Sequence, residues 1–273
     1  MLRRQKGYAA ILVLVGAVAI AGIAATMLPG LDASKTAAEQ ELHQRAYLQA
    51  VRAALSTAYE REAATVDAGV PSPWTGQQWL ARAGVTPKFG LQLAISDRIV
   101  IPDTPVAYRV VAAWLPRRAS DTITSFNTAT GVFTAGTGVP WIVVSGQAMQ
   151  ARRYASTLTT MQRFAAILQN RSRAKLEADP ARDIGINYFR PVSGCSPTAE
   201  EIPCLPSYVA ASTVDFATIA GFDSTGARDA WGRALEVSNT VDSQTSGPPY
   251  SMSIRATTPW GSIFKVIAVQ QVT

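Results

Sequence analysis

The sequence predicts an α+β protein in which long helices pack on antiparallel sheet. Three observations predict it. Two long stretches carry apolar residues at helical spacing, and each is followed by short β-branched and aromatic runs. Those runs are bounded by turn formers, with 19 Gly and 16 Pro in 273 residues. Charged residues make up only 16% while apolar residues make up 48%, enough to bury a core and unlike a disordered chain.

The first helical stretch follows Pro29-Gly30, with Asp32 or Ser34 available as a cap. Leu42, Ala46, Leu48, Val51, Leu55 and Ala58/Tyr59 form a stripe that predicts an amphipathic helix to about Val66. A loop with a short helix around Gln77–Ala83 comes next. Strands are expected at Leu91–Ile95, Ile99–Ile101, Val106–Leu115, Asp121–Phe126, Gly131–Gly136 and Trp141–Gly146. A second helix starts near Ser145 and ends before Pro180, with Met149, Tyr154, Leu158, Met161, Phe164/Ala165 and Leu168 at helical spacing. After a cysteine-bounded loop, Tyr250–Ala256 and Ile263–Val269 read as a strand pair joined at Pro259-Trp260-Gly261. Helix followed by sheet thus occurs twice, and the expected units are 29–146 and 147–273; one elaborated head with both helices on a single sheet is the other arrangement the pattern allows.

The amino terminus is of a different kind. From Tyr8 to Leu28 there is no charge, and about 20 helical residues cross a bilayer core of roughly 30 Å. Arg3, Arg4 and Lys6 precede the run and favour a cytoplasmic start, which places the following chain outside the cytoplasm. The same segment has the parts of a secretory signal peptide, with a small-x-small site at Ala19-Ile20-Ala21. That reading leads to a secreted or periplasmic binding protein whose mature chain starts at Gly22.

Lys6-Gly7 followed at once by aromatic Tyr8, the apolar run, the small pair Ala24-Ala25 and Pro29 resemble the amino terminus of type IV pilins and of type II secretion pseudopilins. The resemblance implies a leader of residues 1–7 cut by a prepilin peptidase between Gly7 and Tyr8, with residues 8–28 kept as a transmembrane helix. Other pilin subunits would pack against that helix, whose Gly16, Ala21 and Gly22 allow close approach. The protein would sit in the inner membrane with a periplasmic head, then join a cell-surface filament. Most of the family carries Glu where this chain has Leu12, so the resemblance implies a minor, tip-located subunit. The block Asp229-Ala230-Trp231-Gly232 partly matches an Asp-Pro-Trp-Gly block of pseudopilin heads, and equally reads as a Trp-Gly turn with a capping Asp.

The formal net charge of +6 includes three charges in residues 1–7, leaving +3, which is no strong footprint for nucleic acid. Arg163, Arg171, Arg173 and Lys175 read as a solvated helix face. Cys195 and Cys204 bracket a Pro-containing loop and would pair in an oxidising compartment. Free thiols and a metal site are the other readings, the latter with only His43 to assist. The aspartates 215, 223, 229 and 242 lack the spacing of a calcium loop. No nucleophile elbow, phosphate loop, zinc-protease or dinucleotide motif is present. The chain therefore reads as a structural or interaction protein without cofactor or metal, not as an enzyme.

Overall fold

The computed structural model describes residues 38–116, 124–192 and 194–271. The fold is mixed α+β with antiparallel sheets and a long helix, α1 (38–68), towards the amino terminus. Leu48, Val51, Leu55, Tyr59, Ala63 and Val66 form its buried stripe. Burying each large apolar side chain is worth about 1.5–3 kcal/mol, so packing rather than intrinsic helix preference holds α1 in place. The stripe starts later than the apolar spacing suggested. Leu42 is 69% exposed and Ala46 is also exposed, and the first buried residue of α1 is Leu48.

That sheet has three strands in the order β1 (Gln92–Ile95), β4 (Val110–Trp114), β7 (Trp141–Ser145). Val111, Ala113, Ile142 and Val144 point to α1, as the period of two demands. Helix α2 (Gly76–Arg82) closes the core with Trp79, and a capping box between Thr75 and Gln78 fixes its start. Two small hairpins flank the sheet: β2 (Ile99–Val100) with β3 (Ala107–Tyr108), and β5 (Ser125–Phe126) with β6 (Phe133–Thr134). The Phe133 ring lies tilted against the neighbouring Trp114 and Trp141 rings, at 5.3 and 5.4 Å, on the face away from α1.

The run expected as one strand over 106–115 is two strands, β3 and β4, broken at Arg109. The Arg109 N–H leaves the ladder to donate to Tyr59 Oη (2.8 Å), and its carbonyl accepts from Gly146 N (3.0 Å). The strand expected at 121–126 is described only from residue 124, and Gly131–Gly136 reduces to β6.

Helix α3 (Gln147–Ala178) follows. Met149 belongs to the first core, whereas Met161, Phe164, Ala165 and Leu168 belong to a second. The second core lies between α3 and a four-stranded antiparallel sheet, in the order β11 (Ile263–Val269), β10 (Ser251–Thr257), β9 (Glu236–Ser238), β8 (Val209–Ala210). Met252, Ile254, Ala256 and Ala268 face α3. A short helix α4 (Phe216–Ala220), capped by Asp215, adds Phe216, whose ring meets Phe164 edge-on at 5.2 Å. Among the described residues no helix is long and apolar enough to cross a membrane. The apolar run 8–28 lies outside the described residues.

Candidate functional site

The two cores meet at a buried polar junction. Asp67, near the end of α1, is fully buried. Its carboxylate accepts from Tyr59 Oη at 2.7 and 2.8 Å and from Gln150 Nε2 at 2.5 Å. Gln150, also fully buried on α3, accepts in turn from Trp231 Nε1 at 2.8 Å. A continuous chain of hydrogen bonds therefore runs from α1 through α3 to the Trp-Gly turn of the second core. A buried carboxylate is tolerable only when so partnered.

Arg109 completes the junction. Its guanidinium donates to three backbone carbonyls: Nε to Val66 (3.0 Å), Nη1 to Ser96 (2.7 Å) and Nη2 to Gly69. Val66 lies in the last turn of α1, whose carbonyls have no helical partner and whose dipole favours a cation. Arg109 and Asp67 are both fully buried, and above about pH 6 the junction holds one charge of each sign. Burial pushes the Asp67 carboxyl up to about 6, against the opposing pull of its hydrogen bonds from Gln150 and Tyr59 and of the Arg109 charge. Burial, then the Asp67 charge, raises the Tyr59 phenol well above its ordinary value.

Gly146 makes room for this arrangement. It precedes α3, and a Cβ at that position would lie 2.2 Å from Tyr59 Oη. A second tie runs through the β10–β11 turn, where Trp260 Nε1 donates to the Pro105 carbonyl at 2.8 Å and its ring meets Trp231 edge-on. A shallow groove beside the junction is lined by Glu60, Met149, Arg152, Arg153, Ser156 and Ala230. Arg153 reaches the Glu60 carbonyl there at 2.6 Å. The side chains of Tyr59, Asp67, Arg109 and Gln150 are buried and hydrogen-bonded within the fold. Chemically the arrangement fixes the angle between two helix-and-sheet layers.

Cys195 and Cys204 are joined, with Cα atoms 5.3 Å apart. The loop they close is also held from α3. Arg171, expected on a solvated face, is instead buried, donating to the carbonyls of Ile219 (2.9 Å), Tyr188 (3.4 Å) and Glu200. Burial lowers its pKa, and the nearby Glu201 and Glu200 oppose that. Lys175 meets the Glu200 carboxylate at 3.2 Å, and Ile202 is inserted in the second core.

The processing pair Gly7 and Tyr8 and the helix residues Leu12, Gly16, Ala21, Gly22 and Pro29 lie outside the described residues. The aspartates 215, 223, 229 and 242 do not converge. Asp215 and Asp223 cap short helices, Asp242 pairs with Lys265 at 2.6 Å, and Asp229 accepts from the N–H groups of Trp231 (2.9 Å) and Arg233 (2.7 Å). No group of three or more potential metal ligands exists among the described residues. The Asp229–Gly232 block thus forms the capped turn read from the sequence, and it also delivers Trp231 to the junction.

Sequence reasoning missed the junction. Tyr59 and Asp67 on α1 meet Arg109 and Gln150 from distant segments, and the one legible signal was Arg109, a cation inside an apolar run. Comparison with known protein families, with curated proteins and with solved structures finds no match to this chain.

Proposed function

We propose that the protein is a non-enzymatic subunit of a filament of the type IV pilus or type II secretion class, held in the inner membrane before assembly and used in few copies at or near the filament tip. The observation that carries this reading is the amino-terminal constellation of Lys6-Gly7-Tyr8, the charge-free run to Leu28 and Pro29. Its partners are a prepilin peptidase that cuts at Gly7-Tyr8 and neighbouring subunits that pack on the apolar helix.

The fold supports the reading in two respects. A long amphipathic helix lying on an antiparallel sheet is the layout the resemblance implies for a head continuous with a membrane helix. Helix α3 and its sheet repeat that layout, which supports a head of two tandem helix-and-sheet units. The hydrogen bonds from Asp67 through Gln150 to Trp231 tie the pair together, which suits a part that transmits force from a filament. Leu12 supplies no carboxylate for a neighbour's amino group, and a bulky double head is easier to hold once at an end than to repeat along a packed shaft.

The test is the mass of the protein extracted from its native membrane. A mature chain starting at Tyr8 is the expected result. A chain starting at Met1 overturns the reading, and a soluble chain starting at Gly22 replaces it with the secreted binding protein.

A further inference from the structure

The second sheet ends on a long strand with one side unpaired. Strand β11 is the outer strand, and β10 is its neighbour. Gln270 N donates to the Tyr250 carbonyl and Thr258 N to the Ser262 carbonyl, both at 2.8 Å. With the register between them, these two bonds fix the alternation along the strand. Phe264, Val266 and Ala268 exchange backbone bonds with β10, while the N–H and carbonyl groups of Ile263, Lys265, Ile267 and Val269 turn outward. None of these outward groups has a backbone partner among the described residues. The side chains of the same residues form an exposed face, with Ile263 52%, Ile267 38% and Val269 37% exposed. Edge strands are ordinarily short, interrupted by proline or armed with charge. Strand β11 has seven residues, no proline and a single charge, Lys265, which is tied to Asp242 at 2.6 Å. Arg255, opposite Lys265 on β10, is likewise paired, with Glu236 at 2.8 Å.

We propose that β11 pairs antiparallel with β11 of a second copy of this chain, joining two four-stranded sheets into one. The unpaired backbone calls for a strand, and length and charge choose which. The other outer strands of the two sheets, β1, β7 and β8, have four, five and two residues. Among the described residues only another β11 matches the seven. With Val266 on a two-fold axis, Ile263 stands opposite Val269 of the second copy, and Lys265 opposite Ile267 of the second copy. Every outward N–H then meets an outward carbonyl, and the symmetry closes the contact at two chains. Each lysine faces an isoleucine, not another lysine, and keeps its own Asp242, so no like charges stand directly opposed.

This pairing does not depend on the proposed function. It is tested on the full chain in detergent micelles, the native cysteines being joined to each other. Val266→Cys is expected to cross-link to itself under mild oxidation. Residues facing across a non-hydrogen-bonded pair have Cα atoms about 4.5 Å apart, within reach of a disulfide. Ile263→Cys alone should not cross-link, its two copies lying about 20 Å apart, but should do so when mixed with Val269→Cys. Ile267→Lys sets lysine against lysine and should raise the dimer dissociation constant about tenfold, read as mass by light scattering over a dilution series. The amides of 263, 265, 267 and 269 should gain protection from hydrogen exchange as concentration rises. A monomer at every concentration overturns the proposal. So does a dimer that cross-links through Ile263→Cys alone, or one that Ile267→Lys leaves unchanged. Amide protection that persists in the monomer overturns it in favour of a segment of the chain's own, outside the described residues, on this edge.

Discussion

Asp67 is the side chain on which the junction's chemistry depends most. Its carboxyl titrates near 6 in the folded protein against 3.8 when unconstrained. The folded state thus binds this proton more tightly than the unfolded chain does. The group's contribution to stability is greatest below about pH 4, falls as pH rises to about 6, and is constant above. Roughly two units correspond to a loss on the order of 3 kcal/mol. Urea unfolding of the wild type and of Asp67→Asn from pH 4 to 7.5 should show this slope in the wild type alone, and parallel curves would contradict it. Tyr59 gives a second test at the same scale. Gly146→Ala puts a methyl into a phenol that is buried and held on both sides, an overpacking worth about 1–3 kcal/mol. Gly226→Ala, with nothing within 4 Å, should be nearly neutral by the same denaturation measurement. At this scale little was legible beforehand. Asp67 and Gln150 are 83 residues apart, and polar residues at helix ends ordinarily face water.

At the scale of elements, long periodic segments were legible and short ones were not. Helix α3 and the β10–β11 pair fall within two residues of their expected bounds, because many residues vote for one period. Strand β8 has two residues and α4 five, too few to show any period. The break between β3 and β4 needed knowledge of Tyr59, which competes with the sheet for the Arg109 N–H. The cysteine pairing was legible from spacing, but the second anchor of that loop, Arg171, was not, since its acceptors are carbonyls far away in sequence. Reduction of Cys195–Cys204 should lower stability by about 2–3 kcal/mol through the freedom returned to the unfolded loop. Arg171→Ala leaves buried carbonyls without donors and should cost about 3 kcal/mol. Because both devices hold one loop, the combined loss should be smaller than the sum. Urea denaturation of both proteins with and without reductant checks this; strict additivity would mean that the two act on different parts of the fold.

For the whole molecule, two hydrophobic cores share α3 and are tied by the Asp67–Gln150–Trp231 chain and by Trp260. The alternation of helix and sheet was legible because each core is built largely from consecutive segments. The tie was not, because it is made by side chains that turn away from their own cores. In the proposed function, a double head tied in this way follows a membrane helix. Immunogold labelling of filaments sheared from cells tests that account most directly. It predicts that the protein is recovered with the filaments, in low copy, with gold at or near their ends. Absence from the sheared filaments, or dense labelling along the whole shaft, would contradict it.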